Sequence, residues 1–146
     1  MDNMGILDFL VRKDRRAARN DEEHRLQAAC VKWFRYTHRN MSHSLFAVPN
    51  GGRRDPVTGA KMKDEGALAG VSDLIFLQRN RCFGALLIEM KTDKGRLSTS
   101  QKEWGRRVSE DGYRYVVCRS LDEFKDAVED YISLMEPERE EAEDGR

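Results

Sequence analysis

Two short apolar segments that carry acidic residues at one end limit the folds that this chain can adopt. Residues 73–77 read DLIFL, and residues 85–91 read ALLIEMK. Both have the length and apolar content of buried β-strands, and the intervening residues 78–83 have the composition of a turn. The sequence therefore predicts two neighbouring strands joined as a hairpin.

Side-chain alternation along these strands collects their charged residues on one face. Glu89 and Lys91 are two positions apart, so they project to the same side of their strand. In a hairpin centred near Cys82, Asp73 pairs with Lys91 and Ile75 pairs with Glu89. The sequence thus predicts that Asp73, Glu89 and Lys91 form one cluster at the end of an apolar sheet.

Two carboxylates and an ammonium group in such a cluster have a definite chemical use. Carboxylate oxygens are ligands for Mg²⁺ or Mn²⁺, and Mg²⁺ usually takes one or two of them together with waters and phosphate oxygens. A metal held there activates water and stabilises charge on a phosphodiester oxygen. The alternative is a structural ion pair, because Glu-x-Lys alone is a weak signal in a chain with 36% charged residues.

Capping residues and apolar periodicity place the other elements around these strands. A Ser or Asn followed three residues later by Glu or Gln is typical of a helix N-terminus. The predicted helices are residues 20–39, begun by Asn20 and Glu23; residues 98–112, begun by Ser98 and Gln101; and a last helix begun by Ser120 and Glu123. Further strands are predicted at residues 44–48 and 113–118, with a helical turn near residues 61–68. The order α, β, β, β, α, β, α predicts an α/β fold with a mixed sheet flanked by helices.

The length of 146 residues is typical of one domain, and its charge is unevenly distributed. Residues 12–107 carry 21 Lys and Arg against 11 Asp and Glu, whereas residues 108–146 carry 5 against 13. We expect a flexible basic arm at residues 1–19, a folded domain at 20–135 and a disordered acidic tail at 136–146. The basic body indicates a polyanionic partner, although well-solvated helix faces are an equal explanation.

The cysteines and the apolar runs exclude several classes of protein. Cys30, Cys82 and Cys118 are far apart, so they form neither a zinc framework nor a disulfide framework. No apolar run approaches the ~18 residues of a membrane span, and the N-terminal order of apolar and basic residues is wrong for a signal peptide. We expect a cytoplasmic protein without membrane association.

Short motifs around the charged cluster resemble a known family. Asp73 followed by Glu89-Met90-Lys91 looks like the PD-(D/E)XK nuclease core, and the wider pattern resembles its VRR-NUC branch, the virus-type replication-repair nucleases. The pattern comprises Glu23-x-x-x-Gln27, Pro49-Asn50-Gly51-Gly52, Gly70-Val71-Ser72-Asp73-Leu74, Ile88-Glu89-Met90-Lys91, Gly95-Arg96-Leu97-Ser98, and Gln101 with Trp104. The motifs cover roughly residues 22–120 in the family's order, and Ser72 departs from the proline that the family often has.

The resemblance implies a restriction-endonuclease-like αβββαβ core within residues 20–135 and a role for each matching residue. Asp73, Glu89 and the backbone carbonyl of Met90 would hold Mg²⁺ or Mn²⁺, and Lys91 would serve the attacking water. Glu23 would complete the acidic cluster, directly or through water, and Gln101 would support the site.

Capping is the alternative role for Glu23 and Gln101, since each stands three residues after a predicted N-cap. Both also lie on the inward faces of their predicted helices, where a polar group needs a partner. We favour the site role for both.

Basic and polar residues near the cluster are candidates for DNA contacts, because phosphates are met mainly by Lys and Arg. They are Asn50, Arg53, Arg54, Lys61, Lys63, Lys94 and Arg96. Loop solubility is an equally good explanation for any one of the basic residues, and a turn for Asn50.

The leading hypothesis is a metal-dependent endonuclease that cuts branched or structured DNA. Compact members of the family resemble Holliday-junction resolvases, which make two symmetric nicks, so we expect a homodimer. The implied setting is phage or mobile-element replication and repair in a bacterial cytoplasm. The alternatives are a flap or nicking nuclease of looser structure preference, and a non-catalytic DNA-binding assembly module.

Overall fold

The protein is described by a computed structural model that covers residues 3–49 and 56–135. Within these residues the helices are α1 (Asn3–Thr37), α2 (Pro56–Asp64), α3 (Thr99–Glu110) and α4 (Leu121–Ser133), and a short 3-10 helix spans Arg39–Ser44. The strands are β1 (Leu45–Ala47), β2 (Leu74–Phe76), β3 (Leu86–Met90) and β4 (Arg114–Cys118). The predicted element order is therefore present, with α2 standing earlier than the helical turn predicted near residues 61–68.

The four strands form one mixed sheet in the order β1-β2-β3-β4. The β1/β2 and β2/β3 pairs are antiparallel, and β3/β4 is parallel because α3 crosses over between those two strands. The α/β fold class, with a mixed sheet flanked by helices, is confirmed.

The register of the β2/β3 hairpin differs by two residues from the prediction. Ile75 pairs with Leu87, not with Glu89. The reason is the connection between the strands, where the Asn80 side chain accepts hydrogen bonds from the backbone N–H groups of Cys82 and Phe83. This turn moves the centre of the hairpin to residue 81 and preserves the predicted faces. Continued by one residue, the observed register places Asp73 opposite Glu89.

The two faces of the sheet are covered by different helices. On one face, Leu86, Ile88 and Met90 of β3 join the main core with side chains of α1 and α4, including Cys30, Phe34, Phe124, Val128 and Tyr131. Glu89, by alternation, projects to the other face, where α3 packs against β4. Cys30 and Cys118 are buried free thiols.

Helix α1 is longer than the sequence predicts. The prediction that a helix begins at Asn20 is wrong, because α1 runs without a break over 35 residues from Asn3. Residues 5–19 contain neither proline nor a glycine after Gly5, and Arg12 pairs with Asp8 one turn away, so the helical conformation continues through them. Their side chains are exposed, and the flexibility of this segment remains a prediction. None of the described helices, α1 included, is both long enough and apolar enough to cross a bilayer.

A glycine inside α3 supports the packing of that helix on the sheet. Glycine in a helix interior is about 1 kcal/mol less favourable than alanine, yet a Cβ atom at Gly105 would lie 2.5 Å from Cε1 of Tyr115. We expect Gly105→Ala to lower the free energy of unfolding by about 1–3 kcal/mol, because the tyrosine ring has to move.

Urea denaturation followed by circular dichroism measures this effect. Gly59→Ala is the matched control, because Gly59 is also helical and nothing lies within 4 Å of its added Cβ. That control is expected to be neutral or slightly stabilising. Equal stability of the two variants would contradict the close packing of α3 on Tyr115.

Candidate active site

Glu89 is a buried carboxylate at the end of an apolar strand. Only 1% of the residue is exposed. Asp73, opposite it and one residue before β2, is fixed by the backbone N–H of Met90, which donates to Asp73 Oδ2 at 2.8 Å. The buried Ser72 hydroxyl donates to the Leu74 carbonyl at 3.2 Å and holds the chain that leads into Asp73. The end of the β2/β3 hairpin therefore brings two carboxylates together.

Gln101 acts as a helix cap and contacts the cluster with the same side chain. Its Oε1 accepts from the Ser98 N–H at 2.9 Å, and its backbone N–H donates to Ser98 Oγ at 3.2 Å, which completes the capping box. Its Nε2 donates to Glu89 Oε1 at 2.8 Å. The two roles that the sequence leaves as alternatives are thus both present in the geometry.

Lys91 gives the cluster its positive charge. Its Nζ lies 3.4 Å from Glu89 Oε1, and 12% of its side chain is exposed. Burial is the main cause that raises the pKa of the Glu89 carboxyl to about 8; the charge of Asp73 adds to it, and Lys91 opposes it. In the protein without a bound metal ion, the neutral form of the Glu89 carboxyl is therefore favoured over the ionised form.

One oxygen of this carboxylate lacks a partner. Glu89 Oε2 is buried and accepts no hydrogen bond, although Oε1 is engaged by Gln101 and Lys91. A buried polar atom in that state is unusual in proteins, and either a proton shared with Asp73 or a bound cation would satisfy it. A divalent cation fits, because it binds hard carboxylate oxygens and would offset the repulsion between Glu89 and Asp73.

Glu23 stands apart from the two carboxylates. In the described part of the chain, no three Asp, Glu, His or Cys side chains converge closely enough to share a metal ion. Glu23 instead lines a polar cleft of about 440 Å³ beside Lys91. The structure does not bring Glu23 to the metal position directly, and a contact through water stays a prediction.

The predicted DNA-contact residues fall into three groups. Lys94 and Arg96 line the same cleft as Glu23 and Lys91. Lys61 and Lys63 are exposed on α2 and do not line it. Asn50, Arg53 and Arg54 lie outside the described residues, as does the predicted acidic tail at 136–146.

Comparison with known proteins identifies the family. The sequence profile of the VRR-NUC domain matches residues 14–122, most of the chain. The chain belongs to the VRR-NUC family. A solved structure described as a "VRR_NUC domain protein" aligns with a TM-score of 0.69 and 24% identity, over 78% of this chain and 90% of that one, and shows the same fold. No curated protein matches the chain.

Membership in the VRR-NUC family confirms the resemblance seen in the sequence motifs. It implies a nuclease-type function with DNA as the partner, and nuclease domains of this kind generally use divalent metal ions. The match begins at residue 14, so it includes part of the helical segment that precedes Asn20.

Tyr115 lies beside the carboxylates of this VRR-NUC site, and no sequence signal indicates that position. It pairs with Leu87 on the Glu89 face, and its ring packs edge-on against Trp104 with centroids 6.0 Å apart. Its hydroxyl is buried without a hydrogen-bond partner. Burial, followed by the charges of Glu89 and Asp73, raises the pKa of Tyr115 to about 12. Within the strand sequence RYVVC, this residue is indistinguishable from an ordinary core aromatic.

Arg119 is a second residue near the site whose position the sequence does not indicate. Its Nη1 donates to the backbone carbonyls of Thr92 at 2.9 Å, Asp93 at 3.4 Å and Gly95 at 2.6 Å. These bonds fix the loop that follows Lys91 and carries Lys94. An arginine after a strand gives no hint of such a contact, because its partners are about 25 residues away in sequence.

Proposed function

We propose that this chain is a divalent-metal-dependent endonuclease that hydrolyses phosphodiester bonds in branched or structured DNA. The observation that carries the proposal is the buried Glu89 carboxylate, with one unpartnered oxygen, between Asp73 and Lys91. Such a group is unfavourable in the metal-free protein, and an endonuclease has a use for it.

In this proposal, each residue of the site has a separate role. Asp73 and Glu89, with the backbone carbonyl of Met90, would hold Mg²⁺ or Mn²⁺. When bound, the ion would neutralise charge on a phosphodiester oxygen and lower the pKa of a water molecule. Gln101 fixes the Glu89 carboxylate through the 2.8 Å hydrogen bond to Oε1, so the free oxygen keeps its direction.

Lys91 is the cation nearest to the reacting phosphate in this arrangement. Its ammonium group can donate a hydrogen bond to the attacking water or to a phosphate oxygen that gains negative charge. Its position 3.4 Å from Glu89 Oε1 keeps it within reach of that point. Glu23, on the opposite wall of the cleft, can act only through an intervening water.

The preferred substrate in this proposal is a four-way junction, which requires two cuts. The described residues hold one such site, so two nicks call for two copies, most simply a homodimer with twofold symmetry. We place that activity in the replication and repair of phage or mobile-element DNA, the setting that the family resemblance implies.

A non-catalytic DNA-binding module is the second candidate, since a basic cleft alone would bind DNA. Burial of Glu89 beside Asp73 speaks against it, because a module without chemistry gains nothing from an unfavourable carboxylate. A flap or nicking nuclease of looser structure preference would use the same site and differs only in substrate.

Cleavage of labelled DNA tests the proposal. A four-way junction, a flap, a continuous duplex and a single strand are incubated with Mg²⁺, Mn²⁺ or EDTA. We expect metal-dependent cleavage, fastest on the junction, and none in EDTA. Faster cutting of the flap would assign the looser nuclease, and binding without cleavage under both metals would assign the assembly module.

A further inference from the structure

A strongly basic cleft adjoins the active site, and α1 builds one of its walls. The cleft has a volume of about 440 Å³, and its lining residues are Arg16, Arg19, Asn20, Glu23, Lys91, Lys94, Gly95 and Arg96. Five of these carry a positive charge and one a negative charge. Such a concentration of cations in a concave surface attracts an anion.

Four of the five cations of the cleft have no carboxylate partner among the described residues; the fifth, Lys91, lies 3.4 Å from Glu89 Oε1. Arg25, in the same helix, pairs with Asp21 at 3.0 Å, and Arg106 in α3 pairs with both Glu103 and Glu110. Across the described residues, no ion pair joins Arg16, Arg19, Lys94 or Arg96 to an acidic group. Their charges therefore remain available to a ligand.

The helical geometry of α1 points these arginines along the cleft towards the site. Arg16, Arg19 and Glu23 are spaced by three and four residues, so they share one face of the helix. This face continues towards Cys30, which is fully buried in the core and anchors α1. Arg16 and Glu23 are seven positions apart, a helical rise of about 10 Å, which equals the axial rise of roughly three nucleotides of one DNA strand.

The opposite wall of the cleft is held by the bonds from Arg119 to the carbonyls of Thr92 and Gly95. Lys94 and Arg96 therefore stand on a fixed loop that faces α1 across the cleft. A cleft with cations on both walls suits a linear polyanion better than a single small ion.

We propose that Arg16 and Arg19, together with Lys94 and Arg96, bind the phosphate backbone of the DNA strand that enters the active site. The segment before Asn20 is then part of the substrate-binding surface. This inference rests on the proposed function in taking the bound strand to be the substrate.

Binding measured without cleavage tests the cleft separately from the chemistry. A fluorescein-labelled four-way junction is titrated with protein in EDTA at several salt concentrations, and the dissociation constant is obtained from anisotropy. We expect Arg16→Ala/Arg19→Ala to weaken binding at least tenfold at moderate salt. Because each phosphate contact contributes about 0.9 to the slope of log K against log salt, the slope should fall by about 2.

Arg25→Ala/Arg106→Ala is the matched control. It removes the same two charges at exposed, ion-paired positions outside the cleft. We expect less than a threefold loss of affinity and an unchanged slope. Equal losses in the two double variants, or none in the Arg16 and Arg19 variant, would overturn the proposal.

Cleavage by the wild-type protein distinguishes a failure of the cleft assignment from a failure of the nuclease proposal. If the wild type cuts DNA in Mg²⁺ or Mn²⁺ and the Arg16 and Arg19 variant binds and cuts equally well, the cleft assignment fails and the nuclease stands. If that variant alone loses binding while the wild type never cuts, the cleft assignment is supported and the nuclease proposal fails.

Discussion

Glu89→Gln is expected to abolish DNA cleavage and, at the same time, to stabilise the metal-free protein. The substitution keeps the size of the side chain and an oxygen that can accept from Gln101 and Lys91. It removes a negative charge that would bind the divalent ion, so we expect a loss of at least about 10²–10³-fold in the cleavage rate. It also removes a negative charge that is buried beside Asp73, and we expect the free energy of unfolding near pH 8 to rise by about 1–3 kcal/mol.

The stability gain should depend on pH in a defined direction. Because the pKa of Glu89 is raised from 4.5 to about 8, the folded wild type binds more protons than the unfolded chain between these values. Its stability in EDTA therefore falls as pH rises through that window, and Glu89→Gln lacks this loss. The difference in melting temperature between the variant and the wild type should widen from about pH 5 to pH 8.

Glu103→Gln is the control for the charge change, because Glu103 is an exposed glutamate paired with Arg106. It should neither raise stability nor stop cleavage. Cleavage by Glu89→Gln at the wild-type rate would remove Glu89 from the mechanism, and unchanged stability would show that the buried carboxylate is well accommodated.

The pairing of Asp73 with Glu89 shows what the sequence could and could not predict. Strand alternation placed Glu89 on the correct face, since that follows from a period of two and nothing else. The register was wrong by two residues because it depends on the hydrogen bonds of Asn80 in the turn. Side chain–backbone bonds of this kind are chosen by local geometry that apolar patterning does not describe.

The helix termini also show which features the sequence could predict and which it could not. Ser98 and Gln101 form the predicted capping box, and Ser120 caps α4 through the Glu123 N–H. Asn20 carries an equivalent signal but lies within α1, because the preceding residues favour helix and nothing ends it there. The contacts of Arg119 and Tyr115 could not be predicted, as both depend on which loop or ring the fold brings near them.

Lys91→Ala is expected to stop cleavage and to leave metal binding intact, whereas Asp73→Asn should lose both. An ammonium group has no lone pair for a metal ion, so its removal takes away no ligand. The Lys91→Ala substitution also removes a positive charge that would repel a metal ion bound next to Glu89. The affinity for the metal ion should therefore be equal or higher. Asp73→Asn instead weakens the carboxylate pair that would hold the ion.

Thermal denaturation at increasing concentrations of Mn²⁺ or Mg²⁺ measures metal binding independently of DNA cleavage. At a hundredfold excess over its dissociation constant, a bound ion stabilises a protein by about 2.7 kcal/mol, which raises the melting temperature by several degrees. Wild type and Lys91→Ala should both show this rise, and Asp73→Asn should not. Cleavage of the four-way junction should fall by about 10²–10³-fold in Lys91→Ala.

Lys102→Ala provides the control for loss of one lysine, because Lys102 is exposed on α3 away from the cleft. It should match the wild type in both measurements. If Lys91→Ala loses the metal-dependent rise, Lys91 acts by holding the carboxylates in place, and its separate role towards water or phosphate is wrong. If Lys91→Ala keeps the rise and cuts at the wild-type rate, the lysine takes no part in hydrolysis, and the water must be served by another residue of the cleft.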